Sequence, residues 1–241
     1  MEPKKKHFEF ENALSHLKES PLFINVFQIA SIWIVSDLSF VLVKTILGGN
    51  LHYSDSPLII TFYYIFWIFV TLSAFWNIYI EWEMIKNEIV TYAFVLFVLG
   101  FIVTYFIFIL PLFPSVSWSA EWKPPSELVF ANGWYFLPKS AEIILQQLLI
   151  SALAFSFHNS KFSTKTTCMW CAGLFGSAHL LLVFGGPSFL YVSTFTFFAT
   201  IAGFVFPYLI LKVKNGFMYS YMLHWTFYAA IVILAHTIFK I

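Results

Sequence analysis

Seven apolar runs, each long enough to cross a membrane, constrain this chain more than any other feature. About 20 apolar residues are needed to cross roughly 30 Å of hydrocarbon. Runs of that length lie at approximately 21–47, 57–80, 89–113, 138–157, 167–186, 189–211 and 216–239. Of the 241 residues, 60% are hydrophobic and 10% are charged, a composition unlike that of soluble domains. The sequence therefore predicts an all-α polytopic membrane protein with seven or eight transmembrane helices.

The segments between the runs divide the chain into four regions. Residues 1–20 carry charges but lack the apolar centre of a signal peptide, and we expect them to form a cytoplasmic N-terminal tail. Residues 21–113 form an N-terminal membrane region of three helices. Residues 114–137 are rich in proline and tryptophan, which is typical of an extracytoplasmic loop or of a re-entrant segment. Residues 138–241 form a core of four helices.

The distribution of lysines predicts a cytoplasmic N-terminus. Basic residues number 13 and acidic residues 12, so the net charge gives no reason to expect a nucleic-acid partner. With the N-terminus inside, the inner lysines are Lys4, Lys5, Lys6, Lys18, Lys86, Lys161, Lys165, Lys212 and Lys214. The outer lysines are then Lys44, Lys123, Lys139 and Lys240. This excess of inner lysines follows the positive-inside rule.

Four ionisable residues within the spans need an explanation: Asp37, Glu142, His179 and His224. Such groups are costly in hydrocarbon, and they usually face a protein interior or a water-filled cavity. No motif surrounds Asp37, which we interpret as a structural hydrogen-bonding residue or as a residue near the interface. A lone membrane histidine is also more often a buried hydrogen-bonding group than a catalyst.

The other three residues lie in patterned segments. Each is one helical turn from a second residue on the same face: Glu142 with Gln146, Phe175 with His179, and His224 with Tyr228. Because these pairs fall on three different predicted helices, we expect Glu142, His179 and His224 to face one shared cavity.

In their order along the chain, these segments resemble a known family. The Glu–Gln segment, FGSAH and LHWTFY are similar to the three motifs of the CAAX prenyl protease and bacteriocin-processing family, E-E-x-x-x-R, F-x-x-x-H and H-x-x-x-N. The resemblance covers about the last hundred residues, and FGSAH is its best match. It implies a CAAX-protease-like helical bundle and a glutamate-dependent intramembrane peptidase.

Two motifs depart from the family pattern. Without a gap, Ala141 aligns with the family's first Glu, Glu142 with the second and Gln146 with the Arg, while Tyr228 replaces the final Asn. A shift of one residue places Glu142 on the first Glu and Gln147 on the Arg. Both alignments leave one carboxylate close to the histidines.

The resemblance implies a role for each residue. Glu142 would deprotonate a water molecule that His179 orients, and His224, together with Tyr228, would donate hydrogen bonds to the oxyanion. A zinc ion held by the carboxylate and both histidines is the minor alternative. The H-E-x-x-H signature of zinc peptidases is missing, so we expect no cofactor. Cys168 and Cys171 form a lone C-x-x-C, which we interpret as packed or lipid-facing cysteines.

Two further functions stay open at this stage. The same groups could transfer an acyl chain during bacterial lipoprotein modification, or the chain could be a catalytically silent partner or an immunity protein. The predicted depths of the three residues favour a substrate reached from the outer leaflet, such as a lipidated or membrane-anchored peptide. High phenylalanine and no arginine suit an AT-rich bacterial genome, so we expect a bacterial plasma membrane. The sequence leaves the oligomeric state open.

Overall fold

The chain folds into a bundle of α-helices in the computed structural model, which describes residues 21–48, 51–80, 89–113 and 133–238. The helices in these ranges are α1 Pro21–Ile46, α2 Pro57–Ala74, α3 Trp76–Ile80, α4 Ile89–Thr104, α5 Phe136–Asn159, α6 Thr164–Leu180, α7 Phe189–Lys212 and α8 Gly216–Ile238. Within them the structure has no strand and has seven helices long and apolar enough to cross a membrane. The prediction of an all-α polytopic membrane protein is confirmed.

Several helix ends differ from the apolar runs of the sequence. The second run continues to residue 80, but α2 ends at Ala74 and the short α3 follows it. Helix α4 continues through a π-helical turn, Tyr105–Ile109, into the 3-10 turn Leu110–Leu112, so the third span is longer than its α-helical part. Hydropathy sets the length of a span, whereas local packing decides where the backbone departs from α-helical geometry.

Part of the predicted organisation lies outside the described residues. The N-terminal tail 1–20 does so entirely, as does most of the predicted loop 114–137. At the end of that loop, Gly133–Tyr135 forms a 3-10 turn and Phe136 begins α5. The core therefore begins two residues earlier than predicted.

Serine side chains cap the start of two of the last helices. At the start of α6, Ser163 Oγ accepts a hydrogen bond from the Thr166 backbone N–H at 3.2 Å. At the start of α7, Ser188 Oγ accepts one from the Tyr191 N–H at 3.3 Å. Such serine caps satisfy N–H groups that have no partner within the helix. Between α6 and α7, Gly186 adopts a φ of +82°, a left-handed conformation that glycine tolerates best.

Helix α5 is the centre of the bundle. In the most apolar 18-residue stretch of α5, 83% of the residues are buried, whereas in the corresponding stretches of the other spans at most 39% are buried. It contacts α1, α2, α6, α7 and α8. Because these helices shield α5 from lipid, it can carry a lysine, a glutamate and two glutamines at low cost. The outer faces of the surrounding helices expose large apolar side chains that suit contact with lipid tails.

Candidate functional site

A buried ion pair occupies the first two turns of α5. Lys139 Nζ donates to both carboxylate oxygens of Glu142, at 3.0 Å and 2.9 Å. Lys139 has no solvent exposure and Glu142 retains 5%. The two residues are three apart, which places them on one face of the helix. A buried charge is costly without a partner of opposite charge. Lys139 and Glu142 therefore stabilise each other in the interior.

Two further donors complete the surroundings of Glu142. Tyr53 Oη, from the connection between α1 and α2, donates to Oε2 at 2.7 Å. Gln146 Nε2 donates to Oε1 at 3.0 Å. A carboxylate has about four acceptor positions, so two contacts from Lys139 and one each from Tyr53 and Gln146 occupy them all. Burial, with the charge of Glu142, raises the pKa of Tyr53 well above its ordinary value, and Tyr53 therefore remains a donor.

The ion pair is linked to His224 through Tyr228. Lys139 Nζ lies 3.9 Å from the centroid of the Tyr228 ring, a cation–π contact. The Tyr228 ring stacks on the His224 imidazole with centroids 5.4 Å apart. Glu142, Lys139, Tyr228 and His224 thus form a continuous series of contacts between α5 and α8.

The amide of Gln147 fixes the protonation of His224. Gln147 is fully buried, and its Nε2 lies 3.1 Å from His224 Nδ1. Ser220 Oγ donates to Gln147 Oε1 at 2.9 Å, which orients the amide. Because an amide nitrogen can only donate, Nδ1 is the acceptor, and a neutral His224 carries its proton on Nε2.

A backbone carbonyl fixes His179 in the opposite tautomer. His179 Nδ1 lies 2.9 Å from the carbonyl oxygen of Phe175. Because that oxygen can only accept, Nδ1 carries the proton and Nε2 of the neutral ring is an acceptor. The Phe175 ring packs edge-on at 4.7 Å between centroids. His179 lies within electrostatic range of Lys139, Glu142 and His224.

A small cleft reaches Glu142 from the side of α1 and α2. Its lining consists of Trp33, Ser36, Asp37, Tyr64, Glu142, Leu145, Gln146 and Leu149. Its volume of about 30 Å³ is enough for roughly two water molecules. Asp37 is exposed and faces the carboxylate of Glu142 across this cleft. Neither histidine belongs to the lining, so the predicted cavity shared by all three site residues stays a prediction.

The zinc alternative receives no geometric support in the described ranges. There, no three side chains among His, Cys, Asp and Glu converge as a metal site requires. Cys168 and Cys171 are both 1% exposed and not joined in a disulfide, which fits the interpretation of packed cysteines.

Sequence reasoning missed two members of the site, Lys139 and Tyr53. The sequence places Lys139 with the outer lysines because it follows Pro138 at the start of an apolar run, but the structure buries it completely. Its spacing of three residues from Glu142 was the available signal. Tyr53 lies outside the spans, and no local pattern marks it.

Comparisons with protein-family models, with curated proteins and with solved structures found no match to this chain.

Proposed function

We propose that the protein is an intramembrane hydrolase related to the CAAX prenyl protease and bacteriocin-processing family, and that it cleaves a peptide. The observation that carries the proposal is a pair of imidazoles held in complementary tautomers near a buried glutamate. His179 lies within electrostatic range of Glu142, and His224 is linked to the Lys139–Glu142 pair through Tyr228. His179 offers a free acceptor at Nε2, whereas His224 offers a donor at Nε2. Hydrolysis of an amide needs both kinds of group: one that accepts from water and one that donates to the oxyanion.

The roles follow from these tautomers. His179 Nε2 accepts a hydrogen bond from the attacking water, and Glu142 takes up the proton that the water loses. The water oxygen bonds to the carbonyl carbon, and the Nε2–H of His224 donates to the oxygen that becomes negative. Collapse of the tetrahedral intermediate breaks the C–N bond, and Glu142 returns its proton to the leaving amine. Lys139 stabilises Glu142 as a carboxylate before the reaction begins.

The proposed substrate is a peptide anchored in the membrane of a bacterial cell and reached from its outer leaflet. Glu142 lies six residues after the start of α5, about 9 Å along the helix axis. With the N-terminus in the cytoplasm, this end of α5 is the outer end. A lipidated or membrane-anchored peptide would present its amide at this depth without leaving the bilayer.

One observation favours a second function, a catalytically silent membrane partner or immunity protein. Each acceptor position of Glu142 already has a donor from Lys139, Tyr53 or Gln146. A general base must free one of these positions during the reaction, whereas a structural ion pair would keep all of them filled. Acyl transfer to an amine is a further alternative, and it would use the same groups.

The deciding experiment compares membranes of cells that make the parent protein with those that make Glu142→Gln, His179→Ala or His224→Ala. Mass spectrometry of exported peptides and lipoproteins is the readout. For a hydrolase we expect shortened peptides, and we expect loss of the general base in Glu142→Gln to lower their formation by about 10²–10⁴-fold.

His158→Ala is the matched control. This histidine is exposed in the last turn of α5, far along the helix from Glu142, and its substitution should leave the products unchanged. A changed acyl chain in place of a shortened peptide would replace hydrolysis with transfer. Identical products from the parent and from Glu142→Gln would leave the silent partner as the function.

A further inference from the structure

Two tyrosines connect Glu142 to the cleft beside Asp37. Tyr53 Oη donates to Glu142 Oε2 at 2.7 Å, and the hydroxyls of Tyr53 and Tyr64 lie 2.6 Å apart. Tyr64 lines the cleft together with Asp37. Since the proton of Tyr53 is committed to the carboxylate, the proton of Tyr64 must complete the bond between the hydroxyls.

This order gives the chain of hydrogen bonds a direction. With Glu142 as a carboxylate, both hydroxyl protons point inward, and the Tyr64 oxygen is left as an acceptor at the cleft. Glu142 also lines the cleft, but Lys139, Tyr53 and Gln146 fill its acceptor positions. A proton from the cleft therefore reaches it along the hydrogen bonds that already exist. Gln146 Oε1 is also buried at the cleft and has no donor among the described residues, so it can hold a water molecule there.

We propose that Asp37, the cleft, Tyr64 and Tyr53 form a proton relay that connects Glu142 with the membrane face of the bundle between α1 and α2. Asp37 is the outer acceptor because it is exposed at the mouth of a cleft with room for about two water molecules. A water molecule that bridges two polar groups is nearly as favourable as a direct hydrogen bond.

Each transfer in the relay is balanced. Asp37 takes up a proton and gives it to a water molecule in the cleft, and that water passes one of its protons to the Tyr64 oxygen. Tyr64 passes its own proton to the Tyr53 oxygen, and Tyr53 passes its own to Glu142 Oε2. Both tyrosines gain and lose one proton and stay neutral, and one proton moves from the cleft to Glu142. The reverse sequence carries a proton out after Glu142 has taken one up.

Other charged and titratable groups surround Glu142 and share its electrostatic environment. They are Asp37 on α1, Tyr53, Tyr64 on α2, Tyr135, Lys139 on α5, His179 on α6, Tyr191 on α7 and Tyr228 on α8. Among these groups, only Tyr53 is hydrogen-bonded both to Glu142 and to a second titratable residue, Tyr64, that lines the cleft. The relay therefore follows this tyrosine pair.

The inference rests on the proposed function only in taking Glu142 as the group that exchanges protons. Its test measures protonation of Glu142 and needs no turnover, so a protein without hydrolase activity still tests it. Purified full-length protein is mixed rapidly with acid and followed by infrared spectroscopy. The carbonyl band of a protonated carboxylic acid is assigned to Glu142 by its loss in Glu142→Gln.

We expect Tyr64→Phe to slow the appearance of the Glu142 band by about 10²-fold, the lower end of the loss seen when a positioned proton-transfer group is removed. Asp37→Asn should slow it as well. Tyr63→Phe is the matched control, because Tyr63 is the preceding residue on α2 and bonds instead to the backbone oxygen of Ser36 and to Ser39 Oγ. It should leave the rate unchanged.

The proposal is wrong if Tyr64→Phe protonates Glu142 as fast as the parent, or if Tyr63→Phe slows it equally. It is also wrong if no Glu142 band develops at any pH at which the protein stays folded. Should Tyr64→Phe fail to fold, Tyr53→Phe and Asp37→Asn provide the same comparison, with slow protonation supporting the relay and an unchanged rate contradicting it.

Discussion

At the scale of single residues, the buried pair of Lys139 and Glu142 is costly to break. Lys139 has no exposed surface and Glu142 retains only 5%, so removal of one partner leaves an uncompensated buried charge in the bundle. We expect Lys139→Met to lower the free energy of unfolding by about 3–5 kcal/mol. Unfolding of the purified protein in mixed micelles, followed by circular dichroism, measures this loss.

The double variant Lys139→Met with Glu142→Leu distinguishes the pair from simple packing. Replacing both charges by apolar groups of similar size is often neutral or stabilising, so the double variant should be more stable than Lys139→Met alone. Lys165→Met is the control, because Lys165 is exposed and its loss should change little. Equal destabilisation by the single and double variants would show that the ion pair is not the cause.

The site residues predicted from the sequence share one property, and Lys139 and Tyr53, which were missed, lack it. Glu142, His179 and His224 interrupt apolar runs, and the cost of burying such groups makes them visible without a structure. Lys139 sits at the edge of a run, where a lysine ordinarily extends to the interface. Tyr53 contributes through a bond to a residue 89 positions away, and only tertiary packing creates that contact.

At the scale of helices, the packing of α6 against α7 depends on Gly203. A Cβ atom at this position would lie 2.8 Å from the Cα of Ala172 and 2.9 Å from the carbonyl oxygen of Cys171. Both atoms belong to the backbone of α6 and cannot rotate away. We expect Gly203→Ala to destabilise the protein by about 1–3 kcal/mol, the usual cost of overpacking, as measured by the same unfolding experiment.

Gly100→Ala is the matched control for this packing. Gly100 lies within α4, and a Cβ atom there would meet nothing within 4 Å. Alanine is a better helix former than glycine by about 1 kcal/mol, so this variant should be neutral or slightly stabilised. If both variants behaved alike, close contact between α6 and α7 would not explain the effect of Gly203→Ala.

The sequence predicts which segments are helical, but it does not predict how the helices are arranged. In hydrocarbon a chain must satisfy its own backbone hydrogen bonds, so apolar runs of sufficient length become helices. Which helix lies at the centre is decided by packing. The buried polar residues of α5, among them Lys139, Glu142 and Gln147, are shielded by neighbouring helices that only the fold reveals.

At the scale of the whole molecule, the orientation in the membrane decides from which leaflet the proposed substrate would reach the site. The count of lysines predicts a cytoplasmic N-terminus, and it included Lys139 among the outer lysines. Because Lys139 is buried in the site, it no longer counts as a loop charge, and the excess of inner lysines over outer ones grows. With a cytoplasmic N-terminus, the glutamate end of α5 is predicted to face the outside of the cell.

Labelling of one introduced cysteine at a time with a membrane-impermeant maleimide tests this orientation. Both native cysteines are 1% exposed, so the parent protein should not react and provides the background. Asp55→Cys places an exposed thiol in the connection between α1 and α2, and Ser160→Cys places one in the connection between α5 and α6. We expect intact cells to be labelled at residue 55 at once and at residue 160 only after permeabilisation. The opposite pattern would place the N-terminus outside and Glu142 near the cytoplasmic face, and a cytoplasmic lipidated tail would then replace an outer-leaflet peptide as the substrate that the site can reach.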